Sequence, residues 1–177
     1  MIKKINSCIS FLKRRILCEI NAVNKFVVVF TAAVIFIAGF IITLHGICDI
    51  SESVFTFSCT MPCVFFLVIG RFAIHFVLGL ALGLLLAVGD KSSQGCAFRA
   101  AVFVSLIVLC EMIWISVFYS FALPFFSFSL TVFMLVLAVC ACLLSAKTIF
   151  AASFVMYIYL LFLVFRCCFS LSIMLLS

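Results

Sequence analysis

The chain has 177 residues, of which 69% are hydrophobic and only 9% are charged, and its formal net charge is +6. A soluble domain carries about 25% charged residues, so this composition excludes a soluble fold and indicates an integral membrane protein. The length suits one compact bundle without a separate soluble domain. Six of the eleven basic residues precede the first apolar run, and Phe11 is the only aromatic residue among them. This pattern indicates membrane lipids as partners and argues against nucleic acid.

Residues 1–25 are predicted to form a basic amphipathic helix. Isoleucine and leucine recur at three- and four-residue steps and so line one helix face, whereas the lysines and arginines fall mostly elsewhere. Such a helix would lie on the anionic inner leaflet of the membrane; the alternative is a frayed basic tail that only sets orientation. A signal peptide is not expected, because no small-residue cleavage site follows the first apolar run.

Residues 26–177 are predicted to form a five-helix transmembrane bundle, and the fold class is therefore an all-α membrane protein. Each apolar run approaches the length of about 20 residues that crosses a bilayer. The predicted spans are 26–44 or 26–47, 64–88, 100–122, 127–145 and 148–165. Pro62 is expected near the first turn of the second span, where a missing N–H is harmless. Residues 167–177 either extend the fifth span or lie in the interface.

The charged residues between the spans predict the orientation. The loops on one side of the predicted bundle contain basic residues, namely Lys91, Arg99 and Lys147. The loop on the other side contains the acidic residues Asp49 and Glu52. Because basic loops stay in the cytoplasm, we predict a multi-pass plasma-membrane protein with a cytoplasmic N-terminus and an extracellular C-terminus. Arg166 is the exception, interpreted as an arginine at the end of the fifth span whose side chain reaches the interface.

Three ionisable residues lie within the apolar spans: Arg71 and His75 in the second and Glu111 in the third. A charge at the bilayer centre costs about 2.5–3.5 kcal/mol on insertion scales. Arg71 and His75 share a helix face because they lie at i and i+4. At 1.5 Å per residue, His75 and Glu111 each lie roughly 16 Å deep, near the middle of the hydrocarbon core. Neighbouring spans usually pack side by side, so we predict that Glu111 meets His75, Arg71 or both.

Two interpretations of this candidate intramembrane polar site stay open. In the first, the three residues form a polar pocket that opens outward and handles a lipid headgroup or another amphiphile. In the second, they form a buried ion pair that fixes which helix packs on which. Gly79 and Gly83, spaced as Gly-x3-Gly, predict a close approach between two helices in either case.

The eleven cysteines do not predict a metal site, because no pair has the Cys-x2-Cys spacing of a zinc ligand set. Cys48, Cys59 and Cys63 cluster around the predicted outer loop 48–62, where a disulfide could form; the others are interpreted as packing residues. No cofactor motif is present. The sequence also lacks Gly-x-Ser-x-Gly, His-Glu-x2-His and paired carboxylates, which argues against an enzyme.

The motif Arg71-x3-His75-Phe76, followed by Leu82-Gly83, resembles the second-span signature of VanZ-like membrane proteins, which are small multi-span proteins of Gram-positive bacteria. Glu111 in the third span, an acidic outer loop that contains serine, and a final span ending at Arg166 extend the resemblance over most of the chain. The resemblance implies a cell-envelope setting and a link to resistance to teicoplanin-type glycopeptide antibiotics. We expect Arg71, His75 and Glu111 to form a site for a lipid-linked or amphiphilic ligand.

The sequence departs from the VanZ-like pattern at two places. The family tends to carry glutamine where this chain has Trp114, and residues 125–144 lack the Asp, Asn and Gly that the family tends to place there. These departures support an alternative function as a non-catalytic membrane accessory or interaction protein. Trp114-x3-Phe118-Tyr119 is also similar to the tryptophan-rich sensory (translocator) family, but the chain has a single tryptophan and lacks that family's Trp-Pro signals.

Overall fold

The computed structural model describes residues 10–11, 14–16, 18–19, 23–53, 61–88, 94–115 and 123–176. Side chains are described within these ranges except at 44–53, 61–69, 115, 124, 173 and 176. Five long helices account for most of the described chain: α1 Lys25–Ser53, α2 Met61–Leu86, α3 Gln94–Ile115, α4 Pro124–Ala146 and α5 Phe150–Leu176. The all-helical class expected from the sequence is confirmed over these ranges, which contain no strand.

Four of these helices contain a segment long and apolar enough to cross a membrane: Lys25–Thr43, Gln94–Trp114, Phe125–Ala146 and Phe150–Ser172. In α2 the apolar segment with described side chains is Gly70–Leu86, which is shorter. Exposed side chains on the outer faces are large and apolar, including Phe30 and Phe133. That surface suits hydrocarbon rather than water, so the chain has the character of a multi-pass membrane protein.

Helices α2, α3, α4 and α5 pack in a closed ring, each against the next and α5 against α2, while α1 lies outside the ring and packs mainly on α2. The centre of the ring is filled by apolar side chains with no exposed surface, among them Leu78, Val104, Ile107 and Met156. Contacts of Val28 with Gly83 and of Ala32 with Gly79 show that α1 and α2 run antiparallel. The described turn 147–149 likewise reverses the chain between α4 and α5, where Cys142 lies beside Ser153. This arrangement carries polar residues of four helices to a common level.

Two glycines allow α1 to approach α2 closely. A Cβ added at Gly79 would lie 2.8 Å from the Cα of Ala32, and one at Gly83 would lie 2.8 Å from the Cα of Val28. In both cases the added Cβ would meet backbone atoms of α1, and backbone cannot move aside as a flexible side chain can. The close approach predicted from Gly-x3-Gly is therefore present within the chain, between its own first two helices.

The N-terminal segment docks on the beginning of α5. Every described residue between 10 and 19 is helical, and Ile16 packs against the core. The Glu19 carboxylate accepts a hydrogen bond of 2.9 Å from the backbone N–H of Ala151, which lies in the first turn of α5 and has no partner within that helix. The Arg15 guanidinium lies 5.3 Å from the ring centroid of Phe150. The segment thus contacts protein; its placement on the inner leaflet stays a prediction.

Several helix ends differ from the predicted spans. α5 continues to Leu176, so the first of the two alternatives for 167–177 is correct and the expected end of the fifth span at 165 is wrong. Helix α1 runs to Ser53 and covers part of the expected outer loop. Pro62 lies in the first turn of α2, as predicted. The question of a disulfide among Cys48, Cys59 and Cys63 falls on side chains outside the described residues.

Candidate functional site

A buried ion pair joins α3 to α5. The Arg166 guanidinium donates from Nη1 to Oε2 of Glu111 at 2.7 Å, and Tyr159 donates its hydroxyl to Oε1 of the same carboxylate, also at 2.7 Å. Glu111 has no exposed surface, and Arg166 is 5% exposed. Both carboxylate oxygens are therefore hydrogen-bonded, which offsets the cost of removing the charge from water.

Trp114 lies at the centre of the polar residues. The guanidinium carbons of Arg71 and Arg166 lie 4.5 Å and 4.7 Å from its ring centroid, within the range of about 6 Å for a cation–π contact. Its indole N–H is directed to α4, where it lies 3.0 Å from Oγ1 of Thr131 and 3.2 Å from the carbonyl oxygen of Ser127. One side chain of α3 thus contacts groups from α2, α4 and α5.

His75 lies one helical turn after Arg71, and its ring packs against Gly39 of α1. Its Nδ1 lies 2.8 Å from the carbonyl oxygen of Arg71, and the ring is 1% exposed. A Cβ at Gly39 of α1 would overlap the ring, so the imidazole fills the space that this glycine leaves. Nε2 is buried without a hydrogen-bond partner among the described residues. His75 therefore connects the polar residues of the ring to α1.

We refer to these six residues as the Glu111 cluster: Arg71, His75, Glu111, Trp114, Tyr159 and Arg166. Its three charged members lie at one level along the bundle. Glu111 lies 17 residues after Gln94, Arg166 lies 16 residues after Phe150, and Arg71 lies 15 residues before Leu86. These helix ends are at the same end of the bundle, so the rise of about 1.5 Å per residue brings the three charges to matching depth.

The structure brings the three predicted residues into one cluster but pairs them differently from the expectation. Glu111 is hydrogen-bonded to Arg166 and Tyr159. Arg71 belongs to the same cluster because its guanidinium lies over the ring of Trp114. The interpretation of Arg166 as an arginine that extends to the interface is wrong, because its side chain is buried and points into the ring. The error came from ending the fifth span one residue before Arg166.

A usable signal for Arg166 was present in the sequence. An isolated glutamate in an apolar run needs a cation in the same hydrocarbon layer, and α5 continues for ten further residues after Arg166. Tyr159 lies two turns before Arg166 in the same helix, and its hydroxyl needs a partner once buried. In the sequence Trp114 stands out only as a departure from one family pattern and as part of a likeness to another, although it provides the aromatic face that both guanidinium groups contact.

No group of three His, Cys, Asp or Glu side chains in the described ranges is placed to hold a metal ion. The chemistry that the Glu111 cluster offers is recognition and packing through guanidinium, imidazole, phenol and indole groups. In comparisons with known proteins, no family model, no characterised protein and no solved structure matches the chain.

Proposed function

We propose that the chain is a five-span protein of the bacterial plasma membrane with its N-terminus in the cytoplasm and its C-terminus outside. Four helices with membrane-spanning segments and an apolar α2 support five crossings. The described basic residues at the helix ends share one end of the bundle with the docked N-terminal segment: Arg14, Arg15, Lys25, Arg99 and Lys147. That asymmetry is typical of the cytoplasmic side.

We further propose that the protein is a divergent VanZ-like protein of the cell envelope. The observation that carries this proposal is the convergence of Arg71, His75, Glu111 and Arg166, since these four positions were all part of the resemblance and lie on three helices. Trp114, where the VanZ-like pattern tends to have glutamine, is the residue over which both guanidinium groups lie. The departure thus falls inside the Glu111 cluster, where an indole stands in place of an amide and lies against both guanidinium groups.

In this proposal the Glu111 cluster is an intramembrane site for a lipid-linked or amphiphilic ligand. Ionisable residues inside a bilayer are expensive and mark binding or transport sites more often than other positions do. Guanidinium groups are suited to acidic headgroups because they present planar, paired N–H donors. The ligand would bring a polar headgroup to the level of the cluster and leave its apolar part in the surrounding hydrocarbon.

A second candidate function is supported by the completeness of the ion pair. Both Glu111 oxygens are engaged, and Glu111 has no exposed surface. These features favour a non-catalytic accessory or interaction protein in which the pair fixes the packing of α3 against α5. Under this alternative, the Glu111 cluster stabilises the fold and binds nothing.

Teicoplanin susceptibility tests the first proposal. Inhibitory concentrations are compared in a Gram-positive host without the protein, with the native chain and with His75→Ala, which leaves the Glu111–Arg166 pair in place. We expect expression to raise the inhibitory concentration and His75→Ala to remove that increase at equal membrane levels of protein. No change in either comparison contradicts the proposal. A Glu111→Gln variant with a lower melting temperature and an unchanged phenotype assigns the cluster to the structural alternative.

A further inference from the structure

A second feature lies at the basic end of the bundle, away from the Glu111 cluster. An apolar groove of about 260 Å³ runs between α1, α2, α5 and the docked N-terminal segment. Its wall includes Ile16, Val29, Leu80, Phe154 and Val155. Lys25, the first residue of α1, is the basic member of the lining. The lining is apolar throughout, so Lys25 borders the groove through its apolar atoms.

The basic groups around this groove are not equivalent. Arg15 is held by Glu19 at 3.6 Å and lies over the Phe150 ring, and Glu19 in turn accepts from Ala151 at the start of α5. Among the described residues, no carboxylate lies within ion-pairing distance of Lys25. Within the described part of the chain, Lys25 is therefore a cation without a paired carboxylate beside an apolar groove, while the Glu19 carboxylate is bonded to the start of α5.

The depth and size of the groove restrict its occupant. Lys25 begins the apolar segment Lys25–Thr43, so in a bilayer that matches this segment Lys25 would stand at the boundary between headgroups and hydrocarbon, with Val29 one turn deeper. A groove of about 260 Å³ is slightly smaller than the range of about 300–1,000 Å³ for drug-sized ligand pockets. It suits one flexible acyl chain rather than a folded partner.

We propose that this groove binds one anionic phospholipid, with an acyl chain along Val29, Leu80 and Phe154 and the phosphate at the Lys25 ammonium. Basic pockets between membrane helices on the cytoplasmic side recognise anionic headgroups in this way. The bound chain also contacts Ile16, so the lipid bridges the N-terminal segment, α1 and α5. This site is independent of the ligand proposed for the Glu111 cluster.

Photo-crosslinking locates the site in the full chain. The purified protein is reconstituted in nanodiscs of phosphatidylcholine with a small fraction of phosphatidylglycerol that carries a diazirine in its acyl chain, and the adducts are mapped by mass spectrometry. We expect adducts at Val29 and Phe154 in excess over Val136 and Leu143, which are comparably exposed on α4. A phosphatidylcholine probe should label both surfaces equally. Equal labelling of both surfaces by the phosphatidylglycerol probe overturns the proposal.

Charge variants test the role of Lys25. Lys25→Gln should lower phosphatidylglycerol retention, measured by native mass spectrometry of the detergent-purified protein, by about fivefold, the effect of one cation at the membrane surface. Lys147→Gln is the matched control, since it removes one charge at the same end of the bundle without lining the groove. Unchanged retention in Lys25→Gln, or an equal loss in Lys147→Gln, contradicts the assignment. The crosslinking pattern of the native chain decides the question even where a variant is poorly folded.

Discussion

Arg166 and Glu111 are 55 residues apart in the chain and meet at 2.7 Å within the ring of four helices. The contact joins α5 to α3, which are not neighbours in the ring, so the pair spans its interior. Arg166 also donates from Nη2 to the sulfur of Met134 on α4 at 3.4 Å. A single guanidinium thus links α5 to both α3 and α4.

Neutralising the carboxylate should destabilise the bundle. Glu111→Gln leaves Arg166 buried without its counter-charge, and removing one partner of a buried pair costs about 3–5 kcal/mol. We expect a clear fall in the melting temperature measured in detergent. Glu19→Gln is the control for carboxylate loss outside the ring. A melting temperature within error of the native value in Glu111→Gln would show that the pair contributes little to stability.

Replacing both charges should recover much of that loss. In the double variant Glu111→Leu with Arg166→Met, no uncompensated charge is buried, and hydrophobic replacements of buried ion pairs are often neutral or stabilising. A double-mutant cycle measured by unfolding in mixed micelles gives the coupling between the two sites. We expect the double variant to be more stable than either single one. Additive losses would contradict a direct interaction.

The single tryptophan of the chain reports directly on the Glu111 cluster. Trp114 is 1% exposed, so its fluorescence should resist quenching by acrylamide in the native protein. Arg166→Met removes one of the two guanidinium groups over the ring and is expected to change both emission intensity and quencher access. Arg15→Met, which removes an arginine over Phe150 at the other end of the bundle, should change neither. Strong quenching of the native protein would contradict burial of the indole.

Alanine at the α1–α2 contact should separate the two helices. A Cβ at Gly79 or Gly83 would meet backbone at 2.8 Å, and overpacking of this kind costs about 1–3 kcal/mol. Gly95→Ala is the matched control, because nothing lies within 4 Å of its added Cβ and alanine favours a helix. We expect lower thermal stability for Gly79→Ala and Gly83→Ala only. Equal stability in all three variants would contradict a close contact.

Removing the Glu19 carboxylate should release the N-terminal segment. Glu19→Ala leaves the Ala151 N–H without its acceptor, and loss of such a helix-terminus bond costs about 1 kcal/mol. We expect faster amide hydrogen exchange at the start of α5 and faster tryptic cleavage at Arg14 and Arg15. Arg14→Gln, which changes an exposed charge of the same segment, should leave the exchange rate at Ala151 as in the native chain. Unchanged exchange in Glu19→Ala would mean that the cap is not formed.

Composition and hydropathy were sufficient to predict the helical membrane class, because a chain so poor in charge has few other stable forms. The close approach of helices at Gly79 and Gly83 also followed from local spacing. The pairing of Glu111 with Arg166 did not, since it depends on the register of α5 against α3, and register is set by side-chain packing that periodicity does not encode. The expectation that neighbouring spans pack together points to Arg71 and His75 as partners of Glu111. Closure of the ring instead brings Arg166 of α5 to Glu111.

Closure of the ring also makes the surroundings of Glu111 depend on a helix that follows it in the chain. Glu111 is translated before Arg166, so α3 is synthesised before the helix that carries the partner of its carboxylate. Until α5 follows, Glu111 lacks the guanidinium and the hydroxyl to which it is bonded in the bundle. Completion of the Glu111 cluster therefore waits for α5, and a chain that ends before Arg166 would leave the Glu111 carboxylate without this partner.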